Sequence, residues 1–199
     1  MFAQTRTAYT PTLGVVYGAR PAYAELIIRH VPQDEPKLRR FVPDGVIEAE
    51  TRTRKWSRPQ DQAYPFLAAD ALAIQRAGGL VGMGSHGEVQ GMSYHWELEA
   101  YASGGATPHE VLRAATLGSS EVIGRAAEFG SIEAGKFADL LILDRDPLAD
   151  IVNTQSLRFV MKNGRLYDAG TLDEVWPRQK PLEEQWFWNE APQTASFAP

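Results

Sequence analysis

The stretch that decides the fold lies in the last third of the chain and reads Gly130-Ser-Ile-Glu-Ala-Gly-Lys-Phe-Ala-Asp-Leu-Leu-Ile-Leu-Asp144. Its two glycines, Gly130 and Gly135, are typical of turns, because glycine adopts backbone conformations that other residues avoid. The apolar run from Ala138 to Leu143 predicts a buried strand. Further along, Asn163-Gly164 separates two apolar segments within residues 157–167, which predicts a β-hairpin with a type I′ turn.

Upstream of this stretch, apolar spacing and capping residues predict helices that alternate with strands, an α/β pattern. Thr107 and Glu110 form a Thr-x-x-Glu capping box at one helix start. Residues 30–65 contain five prolines and predict a long excursion with one helical turn. In chain order, we expect a strand at 9–16, a helix at 66–77, a strand at 80–83, a helix within 88–102 and a helix from Thr107.

Composition excludes several classes of protein and of site. The chain has 199 residues, a net charge of −5 and no cysteine, which excludes disulfide scaffolds, thiolate zinc sites and cysteine nucleophiles. No apolar run reaches the roughly 20 residues of a membrane helix. Basic residues surround Trp56 within 52–58, yet beyond residue 60 the chain is net acidic. We therefore expect a solvated or ion-paired loop there, and neither a nucleic-acid nor a membrane partner.

His86 is the candidate catalytic residue, since it follows the strand at 80–83 and α/β chemistry gathers at the carboxyl ends of strands. Gly82-Met-Gly-Ser-His-Gly87 also fits a dinucleotide-binding pattern, but the acidic residue expected on a second strand is missing, so a tight turn is favoured. His95 and Glu97 form the His-x-Glu part of a zinc-deaminase signature without its cysteines. A packing role is favoured for both, and neither His30 nor His109 is expected to be functional.

The stretch at 130–144 resembles a segment of the amidohydrolase superfamily that leads from the last barrel helix into a small β-sandwich. Residues 107–124 and Val160-Met-Lys-Asn-Gly-Arg165 resemble the neighbouring segments, and the match spans about residues 80–168. Gly-Ser-His-Gly followed by His95-Trp-Glu is similar to a bacterial subgroup that is often fused to a TolB-like β-propeller. The resemblance implies an α/β fold made of three parts: the last two βα units of a (β/α)8 barrel (1–128), sandwich strands (129–170) and an aromatic, proline-rich tail (171–199).

The resemblance also implies an activity. Such enzymes hydrolyse carbon–nitrogen bonds other than peptide bonds, or related amide and ester bonds, in small-molecule substrates through a water activated by a divalent metal, here expected to be zinc. His86 falls where the family usually has an aspartate, so the resemblance implies that it is a metal ligand or the catalytic base. Ser85 and His95 are then expected to contact substrate.

Most of the family's metal ligands have no counterpart in this sequence, which contains four histidines and no His-x-His. A complete barrel also needs roughly 250 residues. We therefore expect the chain to be the C-terminal section of a longer enzyme and to be inactive alone. Its partner would be the missing N-terminal half of the barrel or a second copy. The alternative is a non-catalytic binding or interaction module that retains part of the fold.

Overall fold

The computed structural model describes residues 2–5, 7–18, 21–52 and 58–188. Within those ranges the helices are α1 (Phe2–Thr5), α2 (Pro21–His30), α3 (Pro36–Phe41), α4 (Asp44–Thr51), α5 (Tyr64–Arg76), α6 (Met92–Ala102), α7 (Pro108–Arg113) and α8 (Ser119–Val122). The strands are β1 (Leu140–Leu143), β2 (Leu157–Lys162), β3 (Arg165–Asp168) and β4 (Glu174–Trp176). 3-10 helices lie at Leu13–Gly18, Pro32–Asp34, Pro59–Asp61 and Ile151–Gln155, and a π-helical turn at Ala114–Gly118 joins α7 to α8. The predicted α/β class is confirmed.

Two extended segments run parallel to each other in the helical part. The backbone N–H of Tyr9 donates to the carbonyl of Leu80 at 2.9 Å, and that of Gly84 donates to Pro11 at 3.0 Å. The strand predicted at 80–83 appears as an extended segment with a single β-bridge, between Val81 and Tyr9. The strand predicted at 9–16 is wrong from Leu13 onward, where a 3-10 helix begins. The buried carboxylate of Glu97 accepts the backbone N–H groups of Leu13 and Gly14 and so replaces further strand pairing.

The predicted helices at 66–77, within 88–102 and from Thr107 appear as α5, α6 and α7. Thr107 and Glu110 form the predicted capping box, in which the backbone N–H of Thr107 donates to Glu110 Oε2 at 2.8 Å. Glu110 also pairs with Arg76 at 2.7 Å, and this hydrogen bond is the main reason that the pKa of Glu110 falls to about 2. The ion pair fastens the start of α7 to the end of α5.

The single helical turn predicted for residues 30–65 is wrong, because this region contains α3, α4 and two 3-10 helices. The prolines that suggested a loop stand at helix starts. Pro32 and Pro36 occupy first helical positions and Pro43 directly precedes α4. Proline is favoured there, because its fixed φ suits a helix and its missing N–H would have no partner inside the helix.

The four strands form one antiparallel sheet in the order β1-β2-β3-β4. Asn163 and Gly164 have φ values of 49° and 76°, as the predicted type I′ hairpin between β2 and β3 requires. β1 is less buried than predicted: Leu141 is 60% exposed and Ile142 is 40% exposed. The prediction of a buried strand is wrong because β1 lies at the edge of the sheet and the described residues do not cover these positions.

Helix α6 separates two clusters of buried apolar side chains. Leu98 and Tyr101 face a cluster shared with α5 and the extended segments, whereas Met92 and Trp96 face a cluster shared with α2, α3 and α4. This second cluster carries the candidate site. None of the described helices combines the length and apolar character that crossing a bilayer requires.

Candidate functional site

His86 lies in the turn that follows the second extended segment, and its side chain is 62% exposed. Its Nδ1 is 3.1 Å from Oε1 of Glu88, whose side chain is only 8% exposed. A carboxylate at this distance favours the ring orientation and the tautomer that place a proton on the facing nitrogen. Nε2 of His86 is then the nitrogen available to a ligand or a proton.

Hydrogen bonds hold the backbone of the residue that follows Glu88. The backbone N–H of Val89 donates to Tyr23 Oη at 3.1 Å and to Ser93 Oγ at 2.9 Å, and the hydroxyls of Tyr23 and Ser93 bond to each other. Burial raises the pKa of Tyr23 to about 12, and the negative charge of Glu88 adds to this rise. Tyr23 therefore stays protonated near neutral pH, and α2 and α6 hold the turn that carries His86.

A groove of about 530 Å³ opens beside His86, between α3, α4 and residues 86–90. Its walls are about equally polar and apolar, and the apolar part includes Phe41, Val42 and Ile47. Two carboxylates, Glu50 and Glu88, also line it. A concave apolar surface with a few polar groups is the usual form of a small-molecule site.

Ser85 and His95, the two residues expected to contact substrate, lie outside the lining of this groove. Ser85 is half-buried and adjoins His86 in the turn. His95 lies on α6, where its Nδ1 is 3.0 Å from Thr154 Oγ1 in the 3-10 helix before β2. Burial lowers the pKa of His95, which favours the neutral ring. In this structure His95 packs between α6 and residues 151–155.

Neither of the other two histidines lines this groove. His30 stacks on Trp96 with ring centroids 5.5 Å apart, and its Nε2 is 3.0 Å from Glu99 Oε2. His109 is exposed in the first turn of α7. Because these side chains lie on different helices from the turn at 86, the structure does not gather the histidines around one point.

Glu97 was expected to pack, and it is buried at 3% exposure. Burial raises its pKa to about 7, whereas the backbone N–H groups of Leu13 and Gly14 act in the opposite direction. A carboxylate that titrates near neutrality is a common property of functional sites. Here its contacts explain it as the anchor of the 13–18 turn.

The residues present do not fit a complete metal centre. A catalytic zinc ion takes about three protein ligands and an open position. In the described ranges no group of three or more histidine, aspartate or glutamate side chains could hold an ion. His86, oriented by Glu88, fits the role of one ligand only.

Close packing explains the glycine-rich turn without a dinucleotide. A Cβ on Gly84 would lie 2.3 Å from the carbonyl oxygen of Pro11, so the two extended segments can approach only because residue 84 is glycine. The favoured interpretation of a tight turn is thus the one that the geometry supports.

The basic cluster around Trp56 falls mostly on residues 53–57, which lie outside the described ranges. Of its described members, Arg58 pairs with Asp61, with Nε 2.9 Å from Oδ2. This ion pair agrees with the favoured interpretation of a loop paired with acidic neighbours.

Sequence reasoning missed Glu88 and Tyr23 as supports of His86. The His86-Gly-Glu88 spacing was a usable signal, because two residues that flank a glycine in a turn can face each other. The contact of Tyr23 with this turn had no such signal, since 65 residues separate Tyr23 from Glu88 in the chain.

Residues 21–167 match the model of the amidohydrolase family. An imidazolonepropionase of Shouchella clausii (strain KSM-K16) is 39% identical in an alignment of 84 residues that covers 37% of this chain and 17% of that protein. An N-substituted formamide deformylase of Arthrobacter pascens is 55% identical over 42 residues, 21% of this chain and 8% of that protein.

Among solved structures, a Xaa-Pro dipeptidase with methionine bound in its active site superposes with a TM-score of 0.53 at 20% identity. The superposition covers 84% of this chain and 36% of the dipeptidase, and it shows a shared fold. The chain thus spans little more than a third of that protein, and the aligned segments are smaller parts of the two curated relatives.

Proposed function

Because the chain belongs to the amidohydrolase family, we propose that it supplies the His86 side of an active site that hydrolyses carbon–nitrogen bonds in small molecules. In this proposal residues 1–128 are the last two βα units of a barrel, 129–170 are sandwich strands and 171–199 are a tail. The bonds are those of non-peptide amides, or of related amides and esters. Kinship with the subgroup that is fused to a TolB-like propeller is part of the same proposal.

The observation that carries this proposal is the exposed imidazole of His86, oriented by a buried carboxylate at the mouth of a groove. Its position after an extended segment of an α/β fold is where catalytic groups gather. With Nδ1 directed at Glu88, Nε2 could ligate a metal ion or accept a proton from water. Glu88 then acts as a positioning residue.

A divalent metal, zinc in our proposal, would have to take its other ligands from polypeptide beyond these 199 residues. This follows from the donor set: the sequence has no cysteine, and His30, His95 and His109 lie on elements other than the turn at 86. Such an ion would supply an activated water. This chain's own contribution is His86, its orientation by Glu88 and the groove.

Two relatives carry names that fit this substrate class, an imidazolonepropionase and an N-substituted formamide deformylase. Both names describe small compounds with a carbon–nitrogen bond next to a carbonyl group. We therefore place the substrate among N-substituted amides and cyclic amides.

The test is hydrolysis of a panel of N-substituted formamides, small cyclic amides and simple esters by the longest natural polypeptide that contains this chain, with zinc supplied. We expect turnover, and we expect His86→Ala to lower kcat/KM at least about 100-fold. His109→Ala, which alters an exposed histidine on α7, is the matched control and should leave kcat/KM unchanged. Absence of turnover across the panel, or full activity in His86→Ala, would refute the proposal.

A further inference from the structure

We infer that the groove beside His86 binds the amine product of the reaction, as a protonated amine that carries an apolar substituent. The inference rests on the proposed function because it takes the ligand to be a product of amide hydrolysis. When water cleaves an amide, its oxygen bonds to the carbonyl carbon, the C–N bond breaks and nitrogen gains a proton, so the products are a carboxylate and an amine. Near neutral pH an alkylamine takes a further proton and becomes a cation.

The walls of the groove fit the apolar part of such a ligand. Phe41 and Val42 come from the end of α3, Ile47 comes from α4, and Val89 comes from the turn before α6. Each methylene group that leaves water for such a surface strengthens binding about 4-fold. Affinity should therefore rise with the length of an alkyl substituent until the groove is full.

The charges in the groove favour a cation. Its ionisable lining groups are Glu50, Glu88 and His86, and no lysine or arginine of the described ranges lines it. Glu50 is half-buried on the last turn of α4 and makes no ion pair among the described residues. Glu88 is 8% exposed, and its Oε1 lies 3.1 Å from Nδ1 of His86. An anion here would face two carboxylates, whereas an ammonium group would offset both.

The cationic side chains of neighbouring α3 are engaged elsewhere. Arg39 pairs with Asp44, with Nε 3.6 Å from Oδ1. The guanidinium of Arg40 stacks over the indole of Trp188 at 4.6 Å, and Trp188 Nε1 donates to the carbonyl of Arg40 at 2.6 Å. The contact with Trp188 keeps Arg40 on the tail side of α3, so neither Arg39 nor Arg40 offsets the charges of Glu50 and Glu88.

His86 lies close enough to the groove for a bound amine to sit beside its imidazole. The same cavity is lined by His86 and by the apolar walls, so a substituent in the groove brings its nitrogen toward the imidazole. Binding of the amine product would then depend on residues of this chain alone.

The experiment titrates the purified 199-residue protein at pH 7 with hexylammonium, 1-hexanol and hexanoate, and follows binding by NMR chemical shifts of residues 41–50 and 86–90. We expect hexylammonium to bind at least about 10-fold more tightly than 1-hexanol, and hexanoate to bind more weakly than either. Glu50→Gln should weaken hexylammonium binding about 5-fold, a typical effect of one partly exposed charge. Glu48→Gln alters an exposed carboxylate on the same helix and should change nothing.

Equal affinities for the three compounds, or equal affinities in wild type and Glu50→Gln, would overturn the inference. Chemical-shift changes that occur only outside residues 41–50 and 86–90 would also overturn it. The result is independent of catalysis. Amine binding without turnover of any amide by the longer polypeptide would refute the proposed function and leave the groove assignment intact. Turnover that depends on His86, in a protein whose groove does not bind amines, would refute the groove assignment and support the proposed function.

Discussion

Replacing Trp96 with alanine should lower the free energy of unfolding by about 3–5 kcal/mol. Trp96 is 0% exposed and lies at the centre of the cluster that α6 shares with α2, α3 and α4. Its ring meets that of Tyr23 edge-on and stacks on His30, with 5.5 Å between centroids in both pairs. The change removes a large apolar surface and both ring contacts, and it leaves a cavity that helices can fill only in part.

Denaturant unfolding followed by circular dichroism measures this loss. Phe66→Ala is the matched control, because Phe66 is an aromatic residue on α5 that is 73% exposed, and it should change stability by less than about 0.5 kcal/mol. If Trp96→Ala leaves no folded protein, Trp96→Phe, which keeps an aromatic ring, should show a smaller loss. A Trp96→Ala protein within about 1 kcal/mol of wild type would contradict the described packing.

Glu97 should make the stability of the protein depend on pH by about 3 kcal/mol. Burial raises the pKa of Glu97 from an ordinary 4.5 to about 7. The folded protein therefore holds a proton that the unfolded chain releases. This stabilisation is fully present below pH 4.5 and is lost as the pH rises to 7. Tyr94, whose own pKa the negative charge of Glu97 helps to raise, does not titrate in this range.

Glu97→Gln isolates this effect, because an amide keeps the shape of the protonated carboxyl group and does not titrate. Unfolding should be measured for wild type and variant at pH 4.5 and pH 7.5. We expect wild type to lose about 3 kcal/mol relative to Glu97→Gln between the two conditions. Glu48→Gln, at an exposed site on α4, should show no such difference. A constant difference between wild type and Glu97→Gln would show that Glu97 does not titrate as described.

Elements with a local signal were predictable from the sequence. Thr107 and Glu110 mark a helix start by a reciprocal hydrogen bond within four residues, and Asn163-Gly164 marks a hairpin by backbone conformation alone. Residues 30–65 show where such reasoning fails. A proline both ends and begins helices, and only packing against the second cluster, which buries Leu38 and Ile47, decides between the two.

The parts of the candidate site also differ in whether the sequence could predict them. His86 could be found, because a strand followed by a glycine-rich turn places it at a carboxyl end. Glu97 was given a packing role, and the structure explains why it is buried there, since Leu13 and Gly14 direct two N–H groups at it. The groove could not be found, because Phe41 and Val89 are brought together only by tertiary contacts between α3 and the turn before α6.

We propose that this chain contributes one imidazole and a groove to an amidohydrolase site and holds no complete metal centre of its own. Zinc stoichiometry tests it most directly. The purified 199-residue protein is equilibrated with zinc, dialysed against metal-free buffer and assayed for bound metal. We predict well under about 0.1 zinc per chain, with no difference between wild type and His86→Ala, because one imidazole cannot hold the ion. One zinc per chain that disappears in His86→Ala would contradict the claim.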